Sequence, residues 1–178
     1  MFELSSLNVT SEEQLLQKLE KQIQQIDEPI YWDLQISREA IEMIIKEKTI
    51  STVIQPIVNI RTKETVGYEA LSRGPKNSLL ERPDILFSAA QAYGLTQELE
   101  LLCAELALVR TENKIPKGQF LTINLGPDTL TQALTHLPIK GRSDVFFELT
   151  EHLPIEAAGG LKQTVVDLKE QGIDVALD

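Results

Sequence analysis

The chain has 178 residues, of which 42% are hydrophobic and 25% charged, with a formal charge of −10 and a single cysteine. That length suits one globular domain with a short appendage, and the composition excludes collagen-like repeats, low-complexity disorder and a disulfide-stapled miniprotein. An acidic chain is repelled by phosphate backbones, which argues against general nucleic-acid binding but allows a small anionic ligand where cations neutralise it locally.

The opening Met1-Phe2-Glu3-Leu4 lacks the basic and apolar blocks of a signal peptide. No apolar run approaches the ~20 residues of a membrane span, so a cytoplasmic location is expected. Residues 10–27 read as an amphipathic helix. Thr10 and Glu13 have the spacing of a capping box, and Leu16, Leu19, Ile23 and Ile26 form one apolar stripe. The stripe spans under two heptads, which favours packing on its own domain over a coiled-coil linker. Glu28-Pro29 ends the segment, and Trp32 in the following link reads as a core or interface anchor. Residues 1–37 are thus set apart as an N-terminal helical segment or linker.

Ser37 is a suitable N-cap for a second helix with Ile41, Ile44 and Ile45 on its apolar face. Two extended runs follow, Thr52–Ile60 and Thr65–Leu71, joined by the polar Arg61-Thr62-Lys63-Glu64, and together they predict a hairpin. Helices and short strands then alternate. Pro83 starts a helix that Gly94 stops. Thr96 to about Arg110 is another, with Leu99, Leu102 and Leu106 on one face, and Cys103 in its apolar run reads as a buried structural thiol. Phe120–Leu125 is predicted as a strand, Asp128–Leu134 as a short helix and Val145–Leu149 as a strand. A helix over Ala157–Glu170, stopped by Gly172, and a strand over Ile173–Asp178 complete the series. Such alternation predicts an α/β architecture, with the hairpin as its one departure and a final strand that no helix follows.

Side chains alternate along a strand, so parity sorts them into faces. Leu121, Ile123 and Leu125 share one face, as do Val145, Phe147 and Leu149, and Ile173, Val175 and Leu177. On the opposite faces, near the C-terminal strand ends, stand Glu69, Asn124, Glu148 and Asp178. In an α/β barrel that is the end where sites are built. Three carboxylates and an amide oxygen in one mouth repel each other without a cation. Hard oxygen donors suit Mg2+, Mn2+ or Ca2+ rather than zinc. The residues alone lead to a divalent-metal site in a barrel mouth and no further, and any one of them could simply cap a helix or face water.

The stretches Gln55-Pro56-Ile57-Val58 and Tyr68-Glu69-Ala70-Leu71-Ser72-Arg73-Gly74-Pro75 resemble the opening of an EAL domain. The resemblance continues through Ile123-Asn124-Leu125, Phe147-Glu148-Leu149-Thr150-Glu151 and Val175-Ala176-Leu177-Asp178, covering roughly residues 38–178 in matching order and spacing. It implies a modified TIM-type barrel with an antiparallel first strand, present here as roughly half a barrel preceded by N-terminal helices. It implies hydrolysis of cyclic di-GMP to linear pGpG with two Mg2+ or Mn2+ ions, a phosphodiesterase reaction of bacterial signalling. By the same resemblance Glu69, Asn124, Glu148 and Asp178 match metal ligands, Arg73 a phosphate-holding arginine, Gln55 a residue near the bound ligand, and Glu151 a supporting catalytic glutamate. His136 and His152 match nothing catalytic. Family members often dimerise, so the resemblance allows a homodimer, and an additional sensor domain is a further partner to expect.

The pattern departs from the family at its end, where Asp178 stands without the second Asp of the usual pair or the later Lys, Glu and Gln. Three expectations follow. The chain is a piece of a longer phosphodiesterase, inactive alone; or it is a cyclic di-GMP receptor that does not cleave; or it is an EAL-like interaction module.

Overall fold

The computed structural model describes residues 36–149 and 160–177. The helix expected over residues 10–27, Trp32, Glu151, His152 and Asp178 lie outside them. Helix α1 (Arg38–Lys46) starts where its cap predicts: Ser37 Oγ accepts the backbone N–H of Ala40 at 3.3 Å. Ile41 and Ile44 are buried beneath it, while Ile45 is only half-buried.

The hairpin forms as β1 (Ser51–Val58) and β2 (Thr65–Arg73), antiparallel, in register from Ser51↔Arg73 onward with an irregularity at Ile57/Val58. β1 stops two residues short of the expected Ile60. Asn59 Oδ1 accepts the N–H groups of Arg61 at 2.9 Å and Thr62 at 3.2 Å, so the side chain replaces the ladder and starts the turn. Pro56 lies within β1 opposite Tyr68, and among the described residues β1 pairs on one side, with β2.

A short 3-10 turn (Leu79–Glu81), not anticipated from the sequence, precedes α2 (Pro83–Ala92). Gly94, at φ +68°, separates α2 from α3 (Thr96–Thr111). The buried side of α3 is broader than one leucine stripe: Leu99, Leu102, Cys103, Ala104, Ala107 and Leu108 are buried, whereas Leu106 is half-exposed. Burial pushes the Cys103 thiol up to about 11, so it is an inert core group as expected.

β3 (Phe120–Leu125) and β4 (Val145–Leu149) have the expected bounds. The single helix expected over Asp128–Leu134 is instead two one-turn helices, α4 (Pro127–Leu130) and α5 (Ala133–His136). Thr131 Oγ1 donates to the Asp128 carbonyl at 2.6 Å and Gln132 N–H reaches back to Thr129 at 3.0 Å, which tightens the chain between them. Helix α6 (Leu161–Glu170) follows Gly160, whose φ of +89° is not helical, and the expected start over residues 157–159 lies outside the described residues. The last strand, β5 (Asp174–Leu177), follows Gly172 at φ +83°.

The sheet order is β1-β2-β3-β4-β5, with β2 through β5 parallel. These are five strands of an incomplete TIM-type barrel whose first strand is reversed. One sheet face is packed with Leu121, Ile123, Leu125, Val145, Phe147 and Leu149, which meet Ala104, Ala107, Leu108, Leu161 and Leu168 from the helices. Fully burying a side chain such as Phe147 contributes ~2–3 kcal/mol. The parity reading holds for β3 and β4 but weakens in β5, where Ile173 is buried, Val175 half-buried and Leu177 exposed.

Arg142 ties the C-terminal turn of α3 to the start of β4. It donates to the Leu108 carbonyl at 2.9 Å and forks onto Asp144 at 2.9 and 3.0 Å. Its positive charge also sits well against the exposed carbonyls of a helix end.

Candidate metal and ligand site at the strand ends

Parallel pairing brings the C-terminal ends of β2, β3 and β4 to one rim. In register, Glu69 lies beside Thr122, and Asn124 beside Glu148. Laterally paired residues share a face. Glu69, Thr122, Asn124 and Glu148 therefore stand together on the face opposite the helix-covered core.

The rim side chains engage each other directly. Asn124 Nδ2 donates to Glu69 Oε1 at 2.9 Å. That bond turns Asn124 Oδ1 the other way, where it is buried and has no hydrogen-bond partner among the described residues. Leaving such an oxygen unsatisfied costs ~1–3 kcal/mol. Thr122 Oγ1, one alternation deeper on the same face, is also buried without a partner among the described residues. Glu148 is half-buried next to Asn124. Two carboxylates and an inward amide oxygen are a hard donor set, and a divalent cation would satisfy both their charge and the orphaned oxygen. Among the described residues no three Asp, Glu, His or Cys side chains form a metal cage by themselves. The donor set read from the sequence also includes Asp178, outside the described residues.

Beneath this group the same face carries an aromatic floor. The Phe120 and Phe146 rings have centroids 5.0 Å apart and planes tilted by 52°. Gly67 makes room for the floor: a Cβ there would meet the Phe120 ring at 2.6–2.8 Å.

Gln55, on β1, is exposed and pairs across the hairpin with Glu69, so it borders the rim. Arg73 ends β2 on the parity of Glu69, half-buried, its Nη1 donating to the Ser72 carbonyl at 2.8 Å. Gly74 follows in a tight loop closed by its N–H donating to the Glu81 carbonyl at 3.3 Å. Glu151 lies outside the described residues. His136 is exposed, held locally by Thr135 Oγ1 at 2.8 Å, and takes no part in the rim.

Sequence reading missed Glu100. From α3, its Oε2 accepts the Gly126 backbone N–H at 3.0 Å and the Thr129 hydroxyl, fixing the turn that leaves β3 just after Asn124. No spacing rule points to a contact made across 26 residues by one glutamate on a leucine-rich helix.

Residues 36–178 match the EAL domain family. No curated protein matches the chain. Among solved structures, BlrP1 from Klebsiella pneumoniae, in complex with calcium and cyclic di-GMP, aligns with a TM-score of 0.59 and 24% identity, covering 73% of this chain and 34% of that one. An EAL domain protein from Listeria monocytogenes aligns at 0.58 and 22%, covering 81% and 60%. The EAL domain of FimX from Xanthomonas citri, bound to cyclic di-GMP, aligns at 0.60 and 13%, covering 93% and 62%. The chain thus spans about a third to three fifths of the length of these solved chains.

Proposed function

The chain belongs to the EAL domain family, and on that premise we propose that the protein is a cytoplasmic cyclic di-GMP phosphodiesterase that yields linear pGpG. The observation that carries this reading is the rim pair: Asn124 donates to Glu69 at 2.9 Å, and its buried amide oxygen, beside Glu148, has no partner among the described residues. We assign Glu69, Asn124, Glu148 and Asp178 to hold Mg2+ or Mn2+, Arg73 and Gln55 to hold the dinucleotide, and Glu151 to a supporting role. Calcium and manganese occupy complexes of BlrP1, which supports a divalent site of this kind.

When bound, the metal would neutralise phosphate charge and lower the pKa of the attacking water. The protein's own part is geometric. The Asn124–Glu69 bond fixes one carboxylate oxygen and the amide in a single orientation before any ligand arrives. Arg73 can grip a phosphate through two parallel N–H donors. The half-buried Phe120–Phe146 pair offers an apolar surface below the rim. Such local organisation lets a protein of charge −10 accept a dianionic ligand.

The test is cyclic di-GMP hydrolysis, with Mg2+ or Mn2+, by the product of the complete reading frame. Conversion to pGpG is expected, with a loss of at least ~100-fold in Glu69→Ala. Tight binding of cyclic di-GMP without any product would replace the enzyme reading with a receptor. Near-wild-type turnover by folded Glu69→Ala would overturn the ligand assignment.

A further inference from the structure

We infer that Glu100 is a positioning residue for Asn124. The inference rests on the reading above that Asn124 contributes to a metal site. The β2–β3 register reaches only Ala70↔Ile123, so the end of β3 is held by β4 on one side. What holds it beyond is the turn at Gly126, two residues after Asn124, and that turn is held by Glu100.

One oxygen of Glu100 accepts both the Gly126 N–H and the Thr129 hydroxyl. Charged acceptors make shorter and stronger hydrogen bonds than neutral ones. The approach is close because residue 126 has no side chain: a Cβ there would stand 3.1 and 3.3 Å from the two carboxylate oxygens. Thr129 is 1% exposed, and Pro127 and Leu130 are buried with it. This burial also holds the turn against the core. The carboxylate adds a fixed direction for the backbone leaving β3, and with it the direction of the Asn124 amide. Metal sites need that accuracy, since ligand positions matter on a scale of ~0.5 Å.

The test measures Mn2+ affinity by titration calorimetry on the product of the complete reading frame, alongside thermal unfolding. Glu100→Ala should weaken Mn2+ binding about tenfold. Glu100→Gln, which retains one oxygen able to accept from both donors, should stay within about threefold of wild type. Asn124→Ala and Glu69→Ala are the benchmarks. A folded Glu100→Ala protein with wild-type Mn2+ affinity, beside a weakened Asn124→Ala, overturns the inference and leaves the metal reading standing. A lower Tm without a change in affinity has the same meaning, because it is the mark of a merely structural role. Unchanged affinity in both benchmarks removes the metal reading, and this inference with it. Should Glu100→Ala fail to fold, Thr129→Val decides: a severalfold weakening supports the inference, and unchanged affinity overturns it.

Discussion

Replacing Gly74 with alanine should damage the protein by collision alone. An ideal Cβ at Gly74 lies 1.9 Å from the Leu80 carbonyl oxygen and 2.7 Å from its carbon. Ordinary contact begins near 3.4 Å, so the two backbone segments must part by roughly 1.5 Å. Both partners are backbone, and Leu80 is itself buried, so no flexible side chain can yield. Parting breaks the Gly74 N–H to Glu81 carbonyl bond, worth ~1 kcal/mol, and overpacking adds ~1–3 kcal/mol. The expected loss is therefore ~2–4 kcal/mol, a fall in Tm of roughly 4–16 °C for a domain of this size. Urea denaturation followed by circular dichroism measures it. Gly94→Ala is the control for a different cause. There nothing lies within 4 Å but φ is +68°, and backbone strain alone costs ~1–2 kcal/mol. A Gly74→Ala protein within ~0.5 kcal/mol of wild type would refute the steric reasoning. Because Arg73 adjoins the loop, cyclic di-GMP affinity should fall in the same variant.

Arg142 holds the Asp144 carboxyl below its ordinary value of 3.8, chiefly through their hydrogen bonds. A depressed folded value means that this stabilisation is full above the unfolded value and is lost as pH falls through the folded one. Urea stability of wild type should thus drop more between pH 5 and 3 than that of Asp144→Asn, and parallel pH profiles would contradict the pairing. Cys103, pushed up to about 11 by burial, should react with iodoacetamide at pH 8 at least ~100-fold more slowly in native protein than in urea. Equal rates would show the thiol to be accessible. Arg73→Ala should weaken cyclic di-GMP binding by at least about tenfold, as read by calorimetry, if the guanidinium grips a phosphate. Unchanged affinity would return Arg73 to a structural role.

What was legible in the sequence was what repeats or punctuates. β3 and β4 carry a buried aliphatic or aromatic residue at every second position because one face is sealed by helices, so Leu121–Leu125 and Val145–Leu149 betray both their bounds and that face. Ser37, Pro83, Gly94 and Gly172 mark helix ends through local backbone chemistry that needs no tertiary context. Leu177 misled because parity assigns it a face but not a cover, and it stands 61% exposed. The break between α4 and α5 depends on one threonine hydroxyl competing for a carbonyl, too small a signal to separate from helix propensity. At the rim, strand parity brought Glu69, Asn124 and Glu148 together, but not which atoms touch. The donation from Asn124 to Glu69 and the anchoring by Glu100 are contacts between distant segments, 55 and 26–29 residues apart, and no local pattern encodes them.

The reversed first strand changes where the polypeptide enters the fold. In an all-parallel barrel each strand begins at the end remote from the chemistry. Here Ser51, the first residue of β1, pairs with Arg73, the last of β2, and its Oγ donates to the Arg73 carbonyl at 3.4 Å. Four residues separate Ser51 from the end of the helix Arg38–Lys46, and among them Lys48 is pinned to Glu105 at 2.8 Å while Ile50 is buried. The entry route is thus a short, tethered lever. The helix Arg38–Lys46 is therefore joined by four residues to the strand end that lies beside Arg73.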